Sequence, residues 1–363
     1  MAFEKKRNGT IELMRFVFCM AVILFHINNR MDIPVFHHIS FFQNGHIGVE
    51  FFFLVSGYLM ALSAKKQGGS PLLPATKRFM FRKFLPILPY HLLVWGTGFI
   101  LTMALCGEPL FKRALHAVQT LPNLFLIQLS GIKDRLILTP EWYISAMLWM
   151  MLLLFPLLLK FGEKFTRIVC PVLTVVVVGY MIHAEGGFGG TDHFVYGDTV
   201  PKIYVRAFAE MSGGAVISEE VPFVKRLKFN TFDRVLLTGL ELICYAAPVL
   251  YAASDLPKAY DAYAFYSLAI AVTLSFSEVT LTAQLMKNRL NYFLGKFSLP
   301  LYFAQTVPFV IFKYVTPVKE LPLKQGILFC LAGTLLCAVI MFAVAPLIVK
   351  AVEGKIRRLR SAD

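Results

Sequence analysis

Two polar side chains interrupt the first apolar segment of the chain, the guanidinium of Arg15 and the imidazole of His26. They are eleven residues apart, and at about 100° per residue in an α-helix this separation returns almost to the starting direction. One helix face would therefore carry both groups, about 16 Å apart along the axis. Charged groups are costly in apolar helices, so each is a candidate for function. The plainer alternatives are a packing histidine near a helix end and an arginine that snorkels to the headgroups.

The next apolar segment offers a carboxylate, Glu50, within the sequence GHIGVEFFFLVSGYLM. If this segment enters the membrane on the side where the first one leaves it, Glu50 lies at a depth similar to that of His26. A carboxylate beside a buried imidazole fixes its tautomer and raises its basicity, as a general base for a hydroxyl requires. A structural carboxylate at a helix terminus is the alternative. Close helix approach is predicted at three glycines, Gly45, Gly48 and Gly57.

The elements that position these groups are long apolar helices. The 363 residues are 57% hydrophobic and 16% charged, with a mean hydropathy of +0.64, which is too apolar for an ordinary soluble domain. Runs of about 20 apolar residues recur between short polar breaks, as membrane spans require. We predict an all-α fold, a polytopic membrane helix bundle with about ten transmembrane helices, near residues 11–29, 46–64, 84–105, 137–159, 168–183, 202–218, 235–252, 260–285, 298–315 and 325–349.

Basic residues cluster beside these runs and predict the orientation of the chain. The clusters fall on one side of the arrangement, at 5–7, 65–83, 160–167, 225–228, 287–289 and 355–360, so both termini are predicted to be cytoplasmic. The same clustering accounts for the net charge of +14, so the expected partner is the lipid bilayer and not a nucleic acid. The six cysteines lack CxxC or metal-ligand spacing, and no metal is expected. We predict one integral-membrane domain over residues 1–363, in which the first helix is retained and not removed as a signal peptide. The sequence carries no signature of a particular oligomeric state.

Motifs spread over most of the chain form an ordered series. Arg15, ten further residues and His26 are followed by GVEFFFLVSGYL, and a basic stretch at 77–83 leads to Pro86 and Pro89. Further along come EWYIS at 141–145 and LGKFS at 294–298. In this order the motifs resemble the acyltransferase 3 family of integral membrane enzymes. The resemblance implies a fold of the predicted kind and a site built on the first two helices.

The activity that this resemblance implies is O-acyl transfer. A small acyl group, commonly acetyl from acetyl-CoA, moves to a hydroxyl of an envelope or exported glycan in the bacterial cytoplasmic membrane. His26 would be the essential histidine and general base, with Glu50 beside it, and Arg15 would be the basic partner of the motif. Acyl-CoA is then a donor substrate, the carbohydrate is the acceptor, and no tightly bound cofactor is expected.

Further residues are candidates for holding the donor and the reacting group. Phosphates of acyl-CoA would be met near the cytoplasmic face by Arg15, Arg78, Arg82 and Lys83. Positive-inside charge alone also explains the basic residues of the 77–83 stretch. Two further side chains are candidates for steadying the developing oxyanion, Ser56 and Trp142.

Two other classes of function stay open from the sequence. A multi-span transporter or flippase of glycan or lipid-linked precursors fits about ten spans and charges within the membrane. A membrane scaffold without activity would require neither His26 nor Arg15. Arg206 and Glu210, four residues apart, are expected to pair on one helix face inside the bundle.

Overall fold

The computed structural model describes residues 7–31, 41–130, 139–190, 194–196 and 199–360, with side chains except at 139 and 350–360. It is 83% helical, which confirms an all-α membrane bundle. The helices are α1 (Gly9–Met31), α2 (Gly48–Lys66), α3 (Leu72–Leu105), α4 (Leu110–Gln119), α5 (Leu121–Leu124), α6 (Trp142–Phe161), α7 (Cys170–Glu185), α8 (Lys202–Arg226), α9 (Thr231–Ala252), α10 (Asp261–Ser277), α11 (Thr282–Leu285), α12 (Arg289–Ala304), α13 (Thr306–Tyr314), α14 (Thr316–Lys319) and α15 (Leu323–Arg360).

Short elements complete the architecture. A two-residue strand pair, β1 (Phe194–Val195) and β2 (Val200–Pro201), is antiparallel. A 3-10 turn at Gly45–Ile47 leads directly into α2, so that helical backbone is continuous from 45 to 66. The remaining irregular turns of helix lie at Thr139–Glu141, Phe165–Val169 and Lys258–Tyr260.

Seven of the described helical segments are long and apolar enough to cross a membrane. They are Gly9–Met31, Gly45–Lys66, Leu72–Leu105, Trp142–Phe161, Phe165–Glu185, Thr231–Ala252 and Leu323–Val349. The predicted count of ten spans and the cytoplasmic position of both termini stay predictions. Residues 5–6 of the first basic cluster and 137–138 of the fourth predicted span lie outside the described residues.

The other three predicted spans are helical but depart from the spanning pattern. Helix α8 covers 202–218, yet Arg206, Glu210 and Glu219 make it too polar to be recognised by hydropathy. Helix α10 has 17 residues, slightly fewer than the ~20 that a span needs. The segment predicted at 298–315 is divided at Gln305 between α12 and α13.

The chain divides into two compact units, each built from two stretches of sequence. Unit 1 comprises Met1–Lys77 and Trp149–Ser298, and unit 2 comprises Arg78–Leu148 and Leu299–Asp363. Unit 1 contains α1, α2 and α7 to α11, and unit 2 contains α4, α5 and α13 to α15. The prediction of one domain over the whole chain stays a prediction.

Glycines set the helix packing of unit 1. A Cβ at Gly57 of α2 would collide with the carbonyl oxygen of Met211, and a Cβ at Gly214 of α8 would collide with that of Leu54. A Cβ at Gly48 would lie 2.6 Å from the carbonyl oxygen of Phe18 in α1. The predicted close approach at the glycines of the second apolar segment is therefore confirmed. It brings the backbone of α8 against α2, the most extensive helix contact of the unit.

Polar groups hold the start of α1 in place. The Asn8 side-chain oxygen accepts the Ile11 amide at 3.0 Å, which caps the helix, and its Nδ2 donates to the Ser275 carbonyl at 2.6 Å. Further along α1, the Cys19 thiol donates to the carbonyl oxygen of Ser298 at 3.3 Å. Helix α1 is thus fixed within unit 1 from its first residue.

Unit 2 is ordered by aromatic and backbone contacts. Tyr90 and Phe303 stack with ring centroids 6.1 Å apart, and Tyr143 meets Tyr302 edge to face at 6.0 Å. The Tyr302 hydroxyl also donates to the Pro140 carbonyl oxygen. These contacts hold α3 and the residues at the beginning of α6 against the end of α12.

Candidate active site

The face of α1 that carries Arg15 and His26 is turned into the protein. Positions three or four residues apart along this face, Ile11, Phe18 and Val22, are buried, and His26 is 8% exposed. Arg15 is half-buried, and its Nε is enclosed without a hydrogen-bond partner among the described residues. Because α1 is unbroken over its length, the eleven-residue spacing keeps both groups on one side.

A second histidine, His46, lies next to this face. The 3-10 turn that precedes α2 packs on α1 so closely that a Cβ at Gly45 would lie 2.7 Å from that of Phe25. The ring centroid of Phe25 is 5.5 Å from that of His26 and 5.6 Å from that of His46. The two imidazoles therefore flank one aromatic ring.

Glu50 makes a different contact from the one expected for it. The carboxylate is fully buried, and its Oε1 accepts a hydrogen bond from Arg206 Nη2 rather than from His26. Its Oε2 has no partner among the described residues. A buried carboxylate is most strongly stabilised by an opposite charge, and the glycine contacts bring the arginine of α8 within reach. Glu50 stays a candidate, but as part of an ionic cluster.

Arg206 is the centre of that cluster. Its Nε donates to Glu210 Oε1 at 2.8 Å, which confirms the pairing predicted from their four-residue spacing. Its Nη1 donates to the Phe188 carbonyl oxygen at 3.1 Å. One guanidinium therefore engages two carboxylates, Glu50 and Glu210, while all three side chains are at most 1% exposed.

Asp261, the first residue of α10, orients His46. Its Oδ1 lies 3.1 Å from His46 Nε2 and accepts the Tyr251 hydroxyl at 2.7 Å, while its Oδ2 accepts the Phe188 amide at 2.6 Å. An ionised carboxylate only accepts, so the ring nitrogen that faces it carries a hydrogen. When the imidazole is neutral, its lone pair therefore lies on Nδ1, which is buried without a partner among the described residues.

The cations predicted to meet the donor lie on α3, within unit 2. Arg78 and Arg82 are exposed and, being four residues apart, share a helix face. Lys83 is half-buried, with its Nζ 5.5 Å from the centroid of the Phe79 ring. Exposed guanidinium groups at this spacing can bind a phosphate or a lipid headgroup.

Two other basic side chains, Lys65 and Arg167, already contact the carboxylate of Glu219. Glu219 lies 2.9 Å from Lys65 Nζ and 3.4 Å from Arg167 Nη2, and it accepts the Thr166 hydroxyl at 2.6 Å. Burial opposes ionisation, but the hydrogen bonds from Thr166 and Lys65 outweigh it and hold the pKa of Glu219 below its usual range. Lys65 and Arg167 therefore share one carboxylate, and Arg167 Nε also lies 3.5 Å from Glu163 Oε2.

The two oxyanion candidates occupy different surroundings. Ser56 of α2 is half-buried and lies six residues beyond Glu50, about 120° away around the helix. Trp142, the first residue of α6, is 7% exposed and belongs to unit 2. Ser56 and Glu50 are therefore not on the same face of α2.

Unit 2 contains a buried imidazole–carboxylate pair that the sequence interpretation did not single out. His91 Nε2 is 2.9 Å from the Leu124 carbonyl oxygen, and Nδ1 is 2.7 Å from Glu141 Oε2. A carbonyl only accepts, so Nε2 carries a hydrogen and the second proton lies between Nδ1 and the carboxylate. Both side chains are fully buried. The available signal was a histidine within the apolar run of the third predicted span.

The model of the acyltransferase 3 family, described as "Acyltransferase domain", matches residues 8–346, nearly the whole chain. No curated protein and no solved structure matches. Within the described ranges there is also no group of three or more His, Cys, Asp or Glu residues that could hold a metal ion.

Proposed function

Because this chain belongs to the acyltransferase 3 family and is a membrane acyltransferase, we propose that it transfers an acetyl group from acetyl-CoA to a hydroxyl of an exported or cell-surface glycan. His26 is the general base in this proposal. The donor approaches from the cytoplasmic side of the bacterial inner membrane, and the acceptor is bound toward the opposite leaflet.

The observation that carries the proposal is the continuous buried face of α1. It joins a guanidinium near the basic, N-terminal end of the helix to an imidazole about 16 Å further along. The pantetheine arm of CoA is long and flexible enough to extend along such a face. Phosphates near Arg15 and a thioester near His26 would then be compatible with one bound donor.

The reaction requires one proton acceptor at the imidazole. His26 takes the proton of the acceptor hydroxyl while the oxygen attacks the thioester carbonyl carbon. The tetrahedral intermediate collapses with cleavage of the C–S bond, and the departing CoA thiolate takes the proton from His26. A hydrogen-bond donor at the carbonyl oxygen would stabilise the negative charge that develops there.

Charged contacts to the donor are proposed for four cations. The enclosed Nε of Arg15 has no acceptor among the described residues, and a phosphate oxygen would supply one. Arg78, Arg82 and Lys83 of α3 are further candidates, whereas Lys65 and Arg167 already lie close to the carboxylate of Glu219. The donor is a substrate that leaves after each turnover, so no resident cofactor is needed.

Acetyl transfer in inside-out membrane vesicles tests this proposal. With labelled acetyl-CoA supplied outside, wild-type protein is expected to label a saccharide, and His26→Gln is expected to lower the rate by about 10²–10⁴-fold. His183→Gln, at an exposed position near the end of α7, is the matched control and should keep the wild-type rate.

Two results would contradict the proposal. Undiminished transfer by His26→Gln would remove the imidazole from the mechanism. Cells that lack the protein but keep fully acylated surface glycans by mass spectrometry would remove the reaction itself. If those cells instead fail to export the glycan, the transporter class of function would account for the protein better.

A further inference from the structure

Three polar atoms, one in His46 and two in the ionic cluster around Arg206, have no hydrogen-bond partner among the described residues. They are His46 Nδ1, Glu50 Oε2 and Glu210 Oε2. The three side chains are 5%, 0% and 1% exposed. Buried polar atoms are almost always paired, so three unpaired atoms in one cluster need an explanation. Each of them is a hydrogen-bond acceptor when the imidazole is neutral and the acids are ionised.

These atoms belong to one site. His46 and Glu50 are four residues apart on the continuous helical backbone that includes α2, so their side chains are neighbours. Glu50 and Glu210 bind two nitrogens of the same guanidinium, that of Arg206. Glu50 and Glu210 are therefore joined through one guanidinium, and His46 lies one helical turn before Glu50.

Electrostatics select the kind of group that this site can take. Two carboxylates share one guanidinium, which leaves a surplus of negative charge in a buried place. A phosphate would add to that surplus and is disfavoured. A hydroxyl donates to an ionised carboxylate or a neutral imidazole, and it accepts from a carboxylic acid if one acid is protonated. A sugar carries several hydroxyls and can therefore donate to more than one of these acceptors at once.

We propose that His46, Glu50 and Glu210 bind the hydroxyl groups of the acceptor sugar. Arg206 and Asp261 are positioning residues, since they hold the carboxylates and the imidazole through the contacts described above. The site is next to His26, because the Phe25 ring lies beside both imidazoles. This inference rests on the proposed function, which it deepens by assigning the acceptor to a separate set of residues from those that meet CoA.

Glu210→Gln separates this role from a purely structural one. The amide oxygen can still accept from Arg206 Nε, and the volume is unchanged, while the surplus charge disappears. A structural cluster would thus be at least as stable with glutamine. For a sugar site, however, the substitution replaces the oxygen that accepts from the sugar hydroxyl with an NH₂ group. Two hydrogen-bond donors then face each other. The affinity for the acceptor should therefore fall, whereas the stability of the fold should not.

The experiment uses the full-length protein in nanodiscs, with methyl glycosides as acceptors and labelled acetyl-CoA. Glu210→Gln is expected to raise the KM for the glycoside by about 10- to 100-fold and to leave the KM for acetyl-CoA unchanged. Glu220→Gln, at an exposed position of the same helix, is the control and should behave as wild type.

Substitutions at His46 give a second, independent variant pair. His46→Leu removes the Nδ1 acceptor, whereas His46→Asn offers a side-chain oxygen near the same place. We expect a large rise in the glycoside KM for leucine and a smaller one for asparagine. Equal effects of the two, in protein with wild-type thermal stability, would overturn the assignment of this imidazole.

Direct binding measurements distinguish failure of this inference from failure of the proposed function. Saturation-transfer NMR should detect the methyl glycosides on wild-type protein, with weaker signals on Glu210→Gln. Added inorganic phosphate should not reduce the glycoside signal. Glycoside binding that needs Glu210, without any acetyl transfer, would retain this site and reject the reaction. Transfer that depends on His26 but is indifferent to Glu210, or glycosides that do not bind at all, would reject this site.

Discussion

Removing the Arg206 guanidinium should be among the most damaging single changes in the protein. Arg206→Met keeps much of the side-chain volume but leaves Glu50 and Glu210 without their shared cation, although both stay fully enclosed. Breaking a buried ion pair from one side typically costs 3–5 kcal/mol, because the remaining charge loses its compensation. Here two carboxylates are left beside each other, so we expect about 5 kcal/mol.

The cysteine thiols provide the assay. None of the six cysteines forms a disulfide in the described part of the chain, and four of them are buried: Cys19, Cys170, Cys244 and Cys330. A thiol-reactive fluorophore in detergent therefore reports unfolding as these thiols become accessible. At roughly 2 °C per kcal/mol, Arg206→Met should lower the unfolding midpoint by about 10 °C.

Neutralising the carboxylates supplies the control for this experiment. In the triple variant Arg206→Met, Glu50→Gln and Glu210→Gln, no buried charge is left without a partner in this trio, and most of the lost stability should return. Glu210→Gln alone should unfold within about 1 kcal/mol of wild type. If Arg206→Met unfolds at the wild-type temperature, the buried ionic cluster does not contribute as described.

Two further predictions concern packing and the pair in unit 2. Gly214→Ala should destabilise the protein by about 1–3 kcal/mol, since its Cβ would meet the backbone of α2. Gly179→Ala is the control in the same thiol assay: its Cβ would have open space, so the free energy of unfolding should stay the same or rise by up to about 1 kcal/mol. His91→Leu should lower the free energy of unfolding by about 3 kcal/mol or more, because it leaves Glu141 buried and unpaired. Adding Glu141→Leu should recover most of that stability. A double variant as unstable as His91→Leu alone would contradict the pairing.

Local spacing was sufficient to predict the features that depend on one helix. The eleven residues between Arg15 and His26, the four between Arg206 and Glu210, and the glycines of α2 all have consequences within one regular element and its immediate neighbour. Helix geometry is nearly constant, so the sequence separation fixes which side chains share a face. The all-α membrane class follows in the same way from run length and hydropathy.

Contacts between distant segments were beyond such reasoning. The sequence places Glu50 at the depth of His26, but its partner is 156 positions away in a helix whose polarity hides it from hydropathy. His46 lacks ligand spacing, and its partner Asp261 is 215 positions away. Which opposite charge reaches a buried group depends on how helices cross, and only the glycine contacts of the folded unit determine that.

The polarity of α8 also constrains how the protein is made. A segment with this many charges would not partition into lipid by itself at the insertion site. Two of the helices that enclose it, α2 and α7, precede it in the chain and have already left the ribosome when α8 emerges, whereas the third, α10, follows it. Arg206 can then pair with Glu50 as α8 enters the membrane. We therefore expect α8 to insert by packing against helices that are already in place, and not as an independent span.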